Sequence, residues 1–299
     1  MINYIGELAA LLTAISWSFT SIFFTIAATK IGAFEVNKIR LYFASFFLMT
    51  AQFILYGNLL PLQVEANRWW WLGVSGVVGL IIGDGLLLQA FVLIGARLSM
   101  LLMSLVPIAS TLLAWLFLNE RLTLVQMCAI LVTLAGICWV VLDKVNNERK
   151  STKQHYRQGI LCGIVAALCQ AIGLIAAKKG MAGNFSPLTA TLMRISISAL
   201  LLLLFSIFAK NVFSAKTREF FKTALLPIFG GSFFGPFVGI WLSLVAIKHC
   251  NIGIASTLLA LPPIFLIPLT HWIFKEKISF ASVSGTIVAI VGVAIIFLS

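Results

Sequence analysis

The chain has 299 residues, 61% of them hydrophobic and 10% charged, with a formal net charge of +12 and a mean hydropathy of +1.07. Water-soluble domains carry about 25% charged residues, so this composition excludes one and points to a polytopic helical membrane protein. The basic residues gather in short loops and at the ends of apolar stretches, where lipid headgroups and topology account for them without a nucleic-acid partner.

Apolar stretches long enough as helices to cross a hydrocarbon core of about 30 Å run over 4–29, 36–57, 69–93, 97–118, 122–142, 158–178, 187–209, 221–247, 252–274 and 278–298. The expected fold is all-α, with about ten transmembrane helices and no soluble domain between them. The first stretch lacks a basic leader and runs straight into the second, which argues against a cleaved signal peptide.

On the first stretch, Trp17, Thr20, Ser21 and Phe24 recur at helical spacing. Hydroxyls in a membrane helix either bond back to their own backbone or face an aqueous cavity. Trp17 lies too deep for an interfacial residue, unlike Trp69, Trp70 and Trp71, and Trp241 of the eighth stretch is similarly deep. Both tryptophans are therefore expected in an aromatic cavity wall, with lipid-facing or packed positions as the alternative. Arg40 and Arg194 lie some turns inside the second and seventh stretches. They are expected to be structural charges that snorkel or pair with carbonyls, an anionic-substrate clamp being the alternative.

In the third stretch Asp84, flanked by Gly83 and Gly85, is the one carboxylate set well inside a span. A charge at that depth costs about 2.5–3.5 kcal/mol on insertion scales and normally faces a bundle interior or watery cavity. Asp84 is thus a candidate proton carrier or amine-recognition site, against a static pair with Arg40 or Arg194. Gln89 falls about 140° around a regular helix from Asp84, which suggests a helix-packing hydrogen bond instead. Met100, Met103 and Ser104 open the fourth stretch, where methionine suits a permissive pocket. Gly73, Gly76, Gly79 and Gly83, with Gly230, Gly231, Gly235 and Gly239, suit close helix approach. Pro236, Pro262, Pro263 and Pro268 suit kinks.

The five cysteines (Cys128, Cys138, Cys162, Cys169, Cys250) lack CxxC spacing and are expected to act as small buried hydrophobes. Three scattered histidines give no metal site, and no Walker A, GxSxG or HExxH sequence is present. No cofactor is expected.

The third to fifth stretches fall on the eighth to tenth at a shift of 156 positions: Gly79 on Gly235, Gly83 on Gly239, Pro107 on Pro263, Glu120 on Glu276 and Gly136 on Gly292. Arg40 meets Arg194 at a shift of 154. The chain therefore divides into five-helix repeats at 1–142 and 158–299, joined by a polar linker at 143–157. An odd number of spans in each fused unit makes the two repeats inverted, the arrangement that places substrate sites near the midplane between halves. Fourteen basic residues fall on the loops after odd-numbered spans and five on the opposite face, which by the positive-inside rule puts both termini outside the cytoplasm.

The segment LMSLVPIASTLLAWLFLNERLT (102–123), repeated weakly as LLALPPIFLIPLTHWIFKEKIS (258–279), resembles the fourth- and ninth-span signature of EamA-type carriers of the drug/metabolite transporter superfamily. SWSF (16–19) and the arginines of the second and seventh spans extend the resemblance over essentially the whole chain. It implies ten helices around a cavity lined by spans 1, 3, 4, 6, 8 and 9, alternating access, and cytoplasmic termini. Together these readings point to a secondary carrier in the cell membrane, an exporter of a small organic metabolite such as an amino acid, with lipids and protons as its further partners. Asp84, Trp17, Ser21, Trp241, Met103 and Ser104 are its candidate substrate or proton site. A membrane-embedded enzyme or lipid-modifying protein is the alternative, and a channel a third reading.

Overall fold

A chain surrounded by lipid must satisfy its own backbone hydrogen bonds, and every apolar stretch accordingly forms helix. The computed structural model describes residues 4–145, 153–208, 223–274 and 279–298, and among these there is no strand. Among the described residues eight helices are long and apolar enough to cross a membrane. They are span 1 (Ile5–Ile31), span 2 (Ala33–Tyr56), span 3 (Ala66–Ala96), span 4 (Leu98–Leu118), span 6 (His155–Gly180), span 7 (Pro187–Phe208), span 8 (Leu225–His249) and span 9 (Ile252–Leu269). Two further helices with shorter apolar segments, Leu124–Val145 and Phe280–Leu298, form spans 5 and 10. The fold is thus an all-helical ten-span bundle. Helix extends into both ends of 143–157, since span 5 continues to Val145 and the helix of span 6 begins at Lys153.

Packing between the halves is reciprocal. Span 1 lies along span 8 as span 6 lies along span 3, spans 2 and 7 meet each other, and spans 5 and 10 pair. Each pair maps onto its partner when the halves are exchanged, as a two-fold-related repeat requires. Local irregularities repeat too. Span 3 widens into a π-helix at Gly76–Gly83, and span 8 does so at Phe233–Gly239. Span 4 breaks at Ser104 and span 9 at Ala260, positions 156 apart. The cause lies three residues on: Pro107 and Pro263 have no N–H to donate to the carbonyls of Met103 and Leu259.

Glycines set the closest crossings. A Cβ on Gly173 would lie 3.1 Å from Gly79 Cα, so spans 3 and 6 meet backbone to backbone. Gly235 and Gly239 receive Thr20 and Trp17 of span 1. Gly136 and Gly292 bring spans 5 and 10 together, a Cβ on Gly136 lying 2.8 Å from Ala289 Cα.

Two expectations are corrected here. Lys38, counted above among loop charges, is buried inside span 2 and pairs with Glu35 at 2.8 Å, because Gly32 (φ 91°) alone turns the chain between spans 1 and 2. The cysteines are free and none is fully buried: Cys128 is exposed and the other four are half-buried.

The face that carries the loop between spans 4 and 5 is tied together by Glu120. Asn119 ends span 4 in the left-handed region (φ 55°), a conformation asparagine tolerates. Glu120 then points one carboxylate oxygen at the N-terminus of span 9, accepting from the Ile252 N–H at 2.8 Å. Its other oxygen pairs with Lys178 Nζ at 2.6 Å, and that ammonium also donates to Cys250 O at 3.0 Å. A carboxylate at a helix N-terminus and a lysine at the end of span 6 both suit the helix dipoles. Glu276, the counterpart of Glu120, lies outside the described residues.

Replacing Gly136 by Leu is predicted to cost about 1–3 kcal/mol by overpacking, read as a lower unfolding temperature in detergent. Gly230→Ala, whose methyl would lie 3.6 Å from the Phe23 ring, should leave that temperature unchanged. The Glu120 tie has its own reporter. Cys250, in the break between spans 8 and 9, has its thiol pushed up to about 12, chiefly by burial and further by Glu7. With the other cysteines changed to Ser, Glu120→Ala is predicted to speed maleimide alkylation of Cys250 severalfold at pH 8; an unchanged rate would contradict the tie.

Candidate functional site

A π-helix bonds each carbonyl to the N–H five residues on rather than four, as Gly79 O accepts from the Asp84 N–H, and its wider turn leaves carbonyls open to further donors. In span 3 those further donors come from side chains. Asn37 Nδ2 of span 2 donates to Leu80 O at 3.2 Å and to Ile81 O at 3.1 Å. Gln170 Nε2 of span 6 donates to Gly79 O at 3.2 Å. In span 8 the hydroxyls of span 1 serve: Ser16 donates to Phe234 O at 2.5 Å and Thr13 to Gly239 O at 3.4 Å.

Asp84 stands where the π segment of span 3 returns to regular helix. One carboxylate oxygen accepts from Arg40 Nη2 at 2.5 Å, and the other accepts from Gln170 Nε2. Arg40 Nε in turn donates to Asn37 Oδ1 at 2.9 Å, and the guanidinium lies over the Phe24 ring, 5.6 Å from its centroid. Asp84 and Arg40 are 8% and 5% exposed, so this is a buried charge pair. Spans 2, 3 and 6 are held together through it.

The cluster forms part of the wall of a cavity enclosing about 110 Å³. On the measure by which a single water needs about 10–15 Å³, this admits several waters or a small organic molecule. Spans 1, 3, 4, 6, 8 and 9 all contribute, as do Arg40 of span 2 and Arg194 of span 7. Trp17, Thr20, Ser21 and Phe24 line it together, so the polar–aromatic face of span 1 is a cavity face. The two hydroxyls bond to their own helix as well, Thr20 to Ser16 O at 3.0 Å and Ser21 to Ser18 O at 2.9 Å. Met100 and Met103 of span 4 line it too.

Two expected members are absent from the wall. Trp241 packs against Phe237, with ring centroids 6.2 Å apart. Its neighbour Ile240 and then Ser243 line the cavity, so Trp241 is turned about 100° away. Ser104 is buried at the break in span 4, its hydroxyl without a partner among the described residues, while Met103 and Val106 on either side reach the cavity. Gln89 is exposed and does not pack between helices. The residues that sequence reasoning missed are Asn37 and Gln170; their signal was an amide in an apolar helix, but only the fold brings Gln170 to Asp84 and Asn37 to Arg40.

Among the described residues no group of three His, Cys, Asp or Glu side chains is placed to hold a metal ion. The cluster is suited to holding or exchanging a charge: a carboxylate, a guanidinium and an amide in contact beside an apolar cavity.

A solved structure titled only as the crystal structure of a protein superposes with a TM-score of 0.74, over 98% of this chain and 96% of that one, at 18% identity, and shows the same fold. An uncharacterized transporter of Archaeoglobus fulgidus is 29% identical over 111 residues, 37% of each chain. The match thus spans little more than a third of that curated relative. The EamA-like transporter family profile matches residues 4–142 and again 157–298. With two copies of the profile covering nearly all of its length, the chain belongs to the EamA-like transporter family.

Proposed function

We propose that this protein is a secondary active carrier that moves a small organic metabolite, such as an amino acid or a related compound, across the cell membrane by alternating access. Export is the direction we propose, on the fourth-span resemblance. The observation that best supports a carrier is the placement of the Asp84–Arg40–Gln170 cluster on the wall of a cavity shared by both halves. A substrate held there touches spans from both repeats, so its binding energy can favour one arrangement of the halves over the other. Trp17, Ser21 and Met103 contribute wall to the same space.

In this reading Asp84 is also the proton-coupling residue. Its carboxylate ties span 3 to spans 2 and 6. Protonation removes the charge that holds Arg40 and frees those spans to shift, so proton occupancy and cavity access are linked.

Asp84→Asn is predicted to lower counterflow in proteoliposomes at least about tenfold and to abolish its pH dependence. Because breaking a buried pair leaves a charge exposed to apolar surroundings, the double variant Arg40→Gln/Asp84→Asn is the folding control. It should recover stability without recovering pH dependence. PH-dependent transport that survives in either variant would refute coupling at Asp84.

A further inference from the structure

The two halves match at the arginines but not at what surrounds them. Arg40 has a carboxylate, an amide and a carbonyl: Asp84, Asn37 and Leu80 O. Arg194 occupies the equivalent place in span 7 and is 2% exposed. Where Asp84 stands in the first half, Ile240 stands in the second. Where Asn37 stands, the second half has Thr191, whose hydroxyl is directed to Pro187 O at 2.8 Å. Arg194 Nε is accordingly buried with no hydrogen-bond partner among the described residues. The guanidinium packs by the glycine crossing of span 3, with Nη2 3.4 Å from the position of a Cβ on Gly79. It also lines the cavity. Asp84, engaged by Arg40 and Gln170, reaches it only through its field.

Charge in the cavity is therefore unbalanced. Among the described residues its titratable lining consists of two guanidiniums and one carboxylate, which leaves one positive charge in excess. A buried charge without its counter-ion is strongly unfavourable, and an anion entering beside it removes that penalty. Both oxygens of Asp84 are already engaged, one by Arg40 and one by Gln170, before a substrate amine could reach them. Most of the remaining wall is apolar, with Trp17, Phe24, Phe91, Leu87 and Met100 among it.

We infer that Arg194 is the anion-binding residue of the transport site, and that the site takes small monocarboxylates with an apolar body. A planar guanidinium pairs with a carboxylate through two parallel N–H donors, which fixes the head of the ligand while the body lies on the aromatic and aliphatic wall. This inference rests on the carrier reading for its place in transport, but the binding site itself can be tested separately.

Purified full-length protein is titrated with 3-phenylpropanoate, its neutral amide 3-phenylpropanamide, and phenethylamine, with binding read by thermal shift. The same three compounds are tested for counterflow in proteoliposomes. The carboxylate should bind wild-type protein at least about tenfold more tightly than the amide or the amine, the scale of a charge-assisted hydrogen bond. Arg194→Gln should erase that preference. Ile240→Asp should erase it too, by giving Arg194 the internal carboxylate that Arg40 already has, and it keeps the test valid if the arginine variant does not fold. An amide that binds as tightly as the acid, no binding of the acid, or a preference retained in a folded variant would each overturn the assignment of Arg194. If the amide or amine still exchanges across the membrane in that case, the carrier reading survives. Conversely, selective acid binding with no counterflow of any compound would remove the carrier reading and keep the anion site.

Discussion

A carboxylate and a guanidinium in the middle of an apolar bundle oblige the surrounding helices to come to them. The pair formed by Asp84 and Arg40 is worth little unless its remaining donors and acceptors are met, since desolvation of two charges can exceed their attraction. Asn37 takes the Arg40 Nε donor and Gln170 serves the second Asp84 oxygen, and the same two amides donate to carbonyls of the π segment of span 3. Gln170 can reach only because Gly79 and Gly173 let spans 3 and 6 touch through backbone. The π-helix, the glycine crossing and the charge pair are therefore one construction, and loss of any part leaves a buried polar group unsatisfied.

Repetition and its failures divide the labour between the halves. What repeats is mechanical: the π segments at Gly76–Gly83 and Phe233–Gly239, the breaks at Ser104 and Ala260, and the pairing of spans 5 and 10. Bundles that break twice at equivalent places can bend in equivalent ways, as a two-state carrier needs. What does not repeat is chemical. Asp84 faces Ile240 across the pseudo-symmetry and Asn37 faces Thr191, so the cavity carries a paired arginine on one side and a bare one on the other. Glu120 adds a further tie on one face, bridging the ends of spans 4 and 6 and the start of span 9.

Much of this was legible in the residues. Pro263 was among the prolines that suit kinks and Pro107 is its repeat counterpart, and glycines 156 positions apart marked the crossings, because backbone constraints leave few substitutes. The face of span 1 was legible for a different reason: hydroxyls and aromatics at helical spacing share a side. Other features needed three dimensions. Lys38 resembled a loop charge because nothing local shows that a single glycine, Gly32, suffices to turn the chain. Trp241 had the depth of a cavity residue but the wrong rotation, set by the register of Ile240 and Ser243 after the π segment. Gln170 lies 86 residues from its carboxylate, and no spacing rule connects them.

Accessibility of the cavity from both sides of the membrane tests the central claim most directly. Ser243 lines the cavity and bonds only within its own helix, to Ile240 O at 2.8 Å, so cysteine there disturbs little. In an otherwise cysteine-free protein of uniform orientation in sealed vesicles, an impermeant thiol reagent is applied to one face and then, separately, to the other. The carrier account predicts labelling of position 243 from each face. Labelling from one face alone, or from neither, would contradict it.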